Sequence, residues 1–240
     1  MPFELVDSHC HLESFKKKQM DELPEDILPV TSGYSHKSNK KNAEIAKSLK
    51  IPLCLGIAPQ TAVFDGIEKL PEWEDFIRSK SPNAIGEIGL DYHWGKEEKH
   101  FEDEKALFAR MLNLAEEMNL PIVLHTRKAE DKVLDALDSY GWKKPFMMHF
   151  FSGDAETAKR AVKMGGIISI PPLHSKDRKK TIESIPLEKL VAETDAPYIT
   201  RGIEGVRDSV KYISEVKNIP FEKAARATAG NSATFFKFDL

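Results

Sequence analysis

The chain has 240 residues, 41% of them apolar and 30% charged, with a formal net charge of −3. That composition fits a folded globular chain and excludes a strongly basic coat for nucleic acid, so a nucleic-acid enzyme would need a local basic patch. Cys10 and Cys54 can form one disulfide at most. The start "MPFELVDSHC" lacks the order of a secretion signal, and no apolar run reaches the ~18 residues of a membrane helix, which together point to the cytoplasm.

Eight short apolar runs alternate with amphipathic stretches. The first, "FELVDSH" (3–9), ends at His9 and is followed by Cys10 and His11. Strand side chains alternate, so His9 and His11 point to one side and Cys10 to the other. An irregular link, 13–25, leads to "DILPVTSG" (26–33), a helical pattern over 38–50, and "IPLCLGIAP" (51–59). The fourth run, "NAIGEIGLDY" (83–92), holds Glu87 between two isoleucines, where a carboxylate is costly unless paired or metal-bound. The clearest helix covers 99–118, with Phe101, Phe108, Met111, Leu112, Ala115 and Met118 on one face. Then come "LPIVLHTR" (120–127) with His125, a helix over 128–140 stopped by Gly141, and "PFMMHFFSG" (145–153) with His149. Asp154 caps a helix that stops at Gly165 before "GGIISIPP" (165–172). The eighth run, "EKLVAETDAP" (188–197), carries Glu193 and Asp195, and Asp208 caps a helix over 208–218. One or two closing helices end the chain.

Nearly continuous apolar runs suit strands buried on both faces of a parallel sheet. Eight strand–helix units without a dividing linker predict one domain, 1–240, folded as a (β/α)₈ TIM barrel of the α/β class. The runner-up, a doubly wound sheet, would favour a Gly-rich turn after the first strand, and none is present.

The unusual polar residues fall at the predicted C-terminal strand ends, where barrel enzymes build their sites. Each has a bland explanation alone: a strand-end histidine is more often a hydrogen-bonded rim residue than a ligand, and Asp195 before Ala-Pro suits a turn. Together His9, His11, His125, His149, Glu87 and Asp195 bring four imidazoles and two carboxylates to one mouth. Six ligands exceed what one tetrahedral zinc takes and suit two divalent ions sharing a carboxylate. Imidazole-rich sets favour Zn, with Mn, Fe or Ni next, over Mg or Ca. A water acidified by two ions makes hydrolysis the expected reaction. Cys10 faces the wrong way to act as the nucleophile.

The stretches "VDSHCHLESF", "GEIGLDYHW", "LPIVLHTRKA", "MHFFSG" and "VAETDAPYIT" resemble, in order and spacing, the TatD family of metal-dependent hydrolases, within the amidohydrolase-like barrels; the likeness covers about residues 4 to 238. The resemblance implies a deoxyribonuclease that cleaves phosphodiester bonds with two divalent ions, zinc first and Mg or Mn as other occupants. It implies that His9, His11 and Asp195 hold one ion, that His125 and His149 hold the second, and that Glu87 bridges both. Asp195 is also the implied general base, with Glu193 behind the ligands. Arg127, more weakly Lys128 and Arg201, and the backbone of Ser152 and Gly153 are the candidate phosphate contacts. The expected substrate is DNA, single-stranded or at ends, with exonuclease-like action. Two stretches depart from the family pattern. "GIAPQ" carries Ala58 and Gln60 where the family often has histidines, and "VRDSVKYI" has Arg207 but no Asn-Glu-Pro. Neither touches the six ligands. The alternative is an amidohydrolase-like hydrolase of a C–N or ester bond in a small or aminoacylated substrate; a histidinol-phosphatase type and a metal binder without turnover are weaker readings.

Overall fold

The computed structural model describes residues 4–94 and 97–240. Its eight strands are β1 (Leu5–Cys10), β2 (Ile27–Ser32), β3 (Leu53–Leu55), β4 (Ala84–Gly89), β5 (Ile122–His125), β6 (Phe146–Met148), β7 (Gly166–Ile170) and β8 (Leu190–Ala192). All pair in parallel and in chain order. The helices are α1 (Lys17–Asp21), α2 (His36–Leu49), α3 (Pro59–Phe64), α4 (Leu70–Lys80), α5 (Glu98–Glu117), α6 (Glu130–Tyr140), α7 (Ala155–Lys163), α8 (Lys176–Ser184), α9 (Val206–Lys217) and α10 (Phe221–Phe236). This is the (β/α)₈ barrel that the alternating runs predict. No helix among the described residues is long and apolar enough to cross a membrane.

Successive strand residues sort into two apolar clusters. Val6, Leu28, Val30, Cys54, Ala84, Val123, Met147, Ile167 and Val191 form the inner one with Phe235 and Phe236 of α10, which plugs the lower end. Their neighbours Leu5, Ile27, Leu53, Ile85, Ile122, Phe146, Ile168 and Leu190 join the outer cluster beneath the helices. The period-two alternation of a strand thus builds a filled lumen and an outer layer at once.

Two ladders break that alternation. Between β1 and β2 the register runs from Asp7↔Pro29 to Cys10↔Thr31, three residues against two. Between β4 and β5 it runs from Ile85↔Ile122 to Ile88↔Leu124, again three against two. Each bulge inserts one residue and re-aims those that follow. Cys10 thereby lies in the outer cluster with Leu5, although the two are an odd number of positions apart. At the top of β4, Gly89 has φ +144°, and a Cβ there would meet the His125 carbonyl oxygen at 2.1 Å. Only glycine lets β4 and β5 approach so closely.

Closure between β8 and β1 is made at the mouth. Asp195 N–H donates to His9 O at 3.0 Å and His11 N–H to Ala196 O at 2.7 Å. The Ser8 hydroxyl donates to Ala192 O at 2.8 Å, and buried Asp7 accepts the Thr194 N–H at 2.9 Å and the Thr194 hydroxyl.

Several local expectations change. Phe3, at the start of the first predicted run, lies outside the described residues. Asp208 does not cap α9: the helix starts at Val206 with Gly205 before it, so Asp208 sits in the first turn. Asp154 does cap α7, accepting from Thr157 N–H, and Gly141 ends α6 at φ +80°. The link 13–25 contains α1, the closing segment is the single helix α10, and α3, α4 and α8 appear where no helix is predicted. Arg207 pairs with Asp26 at 2.6 Å, just before β2 and so at the end away from the mouth.

Candidate metal centre

Along the inward positions the chemistry changes from apolar to polar in one step. Val123 is followed two residues later by His125, Met147 by His149, Ile167 by Ser169 and Val191 by Glu193. The register that fills the lumen therefore also presents polar side chains at its top. β1 and β4 reach the same place through their bulges.

Four atoms converge first. His11 Nε2 lies 3.2 Å from Glu87 Oε1 and 3.2 Å from Asp195 Oδ1; His9 Nε2 lies 3.3 Å from Glu87 Oε1 and 3.8 Å from Asp195 Oδ1. The two imidazole Nε2 atoms are 3.3 Å apart. On the other side Glu87 Oε2 lies 3.1 Å from His125 Nδ1 and 3.3 Å from His149 Nε2, which are 3.5 Å from one another. The six sequence-predicted residues are thus brought together, and each Glu87 oxygen faces a separate imidazole set.

The tautomers follow from the outer hydrogen bonds. His11 Nδ1–H donates to the Ser32 carbonyl at 2.9 Å, which leaves a bare lone pair on Nε2. His125 Nε2–H donates to Asp91 Oδ2 at 2.7 Å, which leaves the lone pair on Nδ1. Lone pairs of both rings then face carboxylate oxygens, an arrangement that needs a proton or a cation between them. A tetrahedral ion with bonds of about 2.1 Å places its ligand atoms about 3.4 Å apart, close to the spacings in both groups. The sets His9, His11, Asp195 and Glu87, His125, His149 could therefore each hold a divalent ion. A third grouping, His9, His149 and Glu193, draws on the same two rings.

The electrostatics agree with that fit. Burial works against charge on His11, yet the carboxylates of Asp195 and Glu87 hold its pKa well above 6.5. His125 is likewise buried, and Asp91 and Glu87 lift it to about 9. His9 falls to about 4 through burial and the neighbouring His149. Glu87 resists burial and stays well below the usual carboxylate range, because His149, His11 and His125 surround it. A pocket that favours an anion beside stacked imidazoles favours a cation shared among them.

Supporting groups lie behind this layer. Asp91 is fully buried; its second oxygen accepts the His93 N–H at 2.8 Å, and its own N–H donates to Glu104 at 3.0 Å. Glu193 accepts the Ser169 hydroxyl at 2.6 Å and the Phe150 N–H, tying down the turn after His149, and its carboxylate lies 4.0 Å from His149 Nδ1. Burial raises its pKa to about 7. Phe150 and Asp195 have φ of +47° and +53°. Left-handed backbone at non-glycine residues is strained, and here it aims side chains at the mouth.

The sequence-predicted phosphate contacts separate. Arg127 is exposed and lines two adjoining cavities of about 440 and 470 Å³ over the site. Lys128 and Ser152 line the second, but the Ser152 hydroxyl already donates to Glu130 at 2.6 Å. Gly153 lines neither and packs on Phe151. Arg201 borders a larger cavity of about 960 Å³ beside the mouth, along Ser14 to Pro24.

Sequence reasoning passed over Asp91, Asp7 and two tyrosines. Tyr34 and Tyr198 place their rings 5.5 and 5.0 Å from that of His11. Asp91 carried a signal: it is a carboxylate two residues past Gly89 at the end of an apolar strand. Tyr34 and Tyr198 carried none, since loop aromatics are common.

The family described as TatD related DNase matches residues 6–237. A metal-dependent hydrolase of Methanocaldococcus jannaschii is 35% identical over 250 residues, covering 97% of this chain and 96% of its own. Human deoxyribonuclease TATDN3 is 26% identical, covering 97% of this chain and 94% of its own. The crystal structure of a TatD homologue from Escherichia coli superposes with a TM-score of 0.85 over all of both chains at 23% identity, a likeness of fold.

Proposed function

The chain belongs to the TatD-related DNase family, and on that premise we propose that this metal-dependent hydrolase is a deoxyribonuclease using two divalent ions, zinc first. One observation carries the proposal: Glu87 turns one oxygen to His9 and His11 and the other to His125 and His149, the arrangement of a bridging carboxylate. Residues 1–240 act in it as one domain.

Divalent ions in such a pair supply an acidified water and neutralise charge on a phosphodiester. The residues do the rest. Asp195, on the border of both cavities, takes the proton of the attacking water. Asp91 and the Ser32 carbonyl hold His125 and His11 in the tautomers that keep their inner nitrogens bare. Glu193 fixes the turn that carries His149. Arg127 meets a phosphate oxygen, while Ser152 lines the adjoining cavity and Gly153 neither of the two. A mouth ringed by loops admits a single-stranded or frayed end more readily than the middle of a duplex.

Metal-loaded protein should degrade single-stranded DNA, and His125→Ala should abolish the activity. Retained activity in that variant refutes the site, while turnover confined to carboxylic esters or amides in a substrate panel refutes the nuclease.

A further inference from the structure

We propose that Gln60, Phe64 and Trp94 form a subsite for the unpaired nucleobase adjoining the scissile phosphodiester; the proposal rests on the nuclease reading above. All three line the 440 Å³ cavity that also contains Glu87, His125 and Asp195. Gln60 and Phe64 stand one turn apart on α3, so both project from one face of that short helix.

The chemistry of the three side chains is unusual for a surface. Phe64 is 67% exposed and Trp94 43%, and with Tyr198 they concentrate exposed aromatic area at the mouth. The Phe64 and Trp94 rings meet edge to face, centroids 6.0 Å apart at 66°, and His93 packs edge-on against Trp94 at 4.9 Å. The Arg127 guanidinium lies 5.6 Å from the centre of the Trp94 ring, so the cation of the proposed phosphate contact adjoins the aromatic wall. Gln60 Oε1 is buried without a hydrogen-bond partner among the described residues. Turning the Gln60 side-chain amide into the cavity that the residue lines would bring its acceptor to the N–H groups on a base edge.

A flat, π-faced group with edge donors, joined to a phosphodiester, is a nucleotide. Stacking on aromatic side chains accepts every base, and it requires the base to be out of the duplex. The cavity therefore has two chemically distinct ends, one of carboxylates and imidazoles for the phosphodiester and one of aromatic rings and an amide for the base. Gln60 lies in "GIAPQ", which departs from the family's histidine pattern, whereas Trp94 closes "GEIGLDYHW", which follows it.

The test uses metal-loaded full-length protein and two single-stranded oligonucleotides, one with normal termini and one with a tetrahydrofuran in place of each terminal nucleoside. Wild type should prefer the base-bearing ends by about tenfold or more in kcat/KM, the scale of one stacked base. Phe64→Ala and Trp94→Ala should bring that ratio close to one, and Trp94→Phe should restore it. Trp73 and Trp142 are buried, so a phosphorothioate-capped oligonucleotide should quench the fluorescence of wild type but not of Trp94→Phe. If DNA is cleaved with no difference between base-bearing and abasic ends, the subsite is wrong and the nuclease stands. If the alanine variants lose both rates in proportion, the rings are structural and the subsite is wrong. If no DNA is cleaved at all, the nuclease reading fails and the subsite falls with it.

Discussion

Replacing Asp91 by asparagine should weaken one of two metal sites and spare the other. Both carboxylate oxygens of Asp91 accept from N–H groups: Oδ2 from His125 Nε2 at 2.7 Å and Oδ1 from His93 N at 2.8 Å. Asparagine has one oxygen, so its NH₂ must face one of the two donors. Relief comes if His125 moves its proton to Nδ1, the atom 3.1 Å from Glu87 Oε2. That nitrogen then has no lone pair for an ion. Loss of a carboxylate behind a ligating imidazole costs about 10–100-fold in metal affinity, or ~1.4–2.7 kcal/mol. Competition with a chromophoric chelator, using Zn²⁺ and Mn²⁺, should show two classes of site in wild type. In Asp91→Asn one class should weaken by that factor while the site of His9, His11 and Asp195 stays within about twofold. Unchanged affinity at both would show that Asp91 does not set the His125 tautomer.

Asp7→Ala removes the acceptor for Thr194 N–H, the Thr194 hydroxyl and the His9 N–H, all buried at the β8–β1 seam; denaturant unfolding of the metal-free protein should register a loss of about 3 kcal/mol. Phe236→Ala, at 1% exposure in the plug beneath the lumen, should lower stability by ~3–5 kcal/mol, read as an earlier urea midpoint with an unchanged slope. Glu104 is raised by burial from 4.5 to about 7, so the folded state binds its proton more tightly than the unfolded one. Its contribution is most favourable below pH 4.5 and is lost as pH rises to 7; Glu104→Gln should match wild type at pH 4.5 and exceed it by at most about 3 kcal/mol at pH 8. Equal stability of the two at pH 8 would show that the charge is not penalised.

The strands were the most legible part of this chain. β5, β6 and β8 are short apolar runs, and their period-two alternation carries straight from Val123 to His125 and from Met147 to His149, so core and site share one signal. The convergence of six polar residues was readable because a carboxylate or imidazole closing such a run is rare. What escaped has physical causes. The helix α3 is short and α8 weakly amphipathic, so tertiary contacts rather than periodicity hold them, whereas α4 does carry a legible apolar face of Leu70, Trp73 and Ile77. Asp208 looked like a cap because capping residues also suit a first helical turn, where negative charge meets the helix dipole. Asp91 acts only through what it touches, and no spacing rule reports a partner 34 positions away. The aromatic rim joins the end of α3 to loops that it meets only in the folded barrel.

The two bulges have a wider meaning. A strand in a closed barrel has a phase: once one residue points inward, every second one must. If the phase of the packing were also the phase of the chemistry, any change that re-tuned one would disturb the other. The extra residue in β1 and in β4 resets the count between the lower lumen and the mouth. Below the reset, Val6 and Ala84 answer to packing; above it, His9, His11 and Glu87 answer to the ligand. The site is thus written in a frame of its own, and deleting a single residue within either bulge would rotate that frame outward while leaving the lower barrel in register.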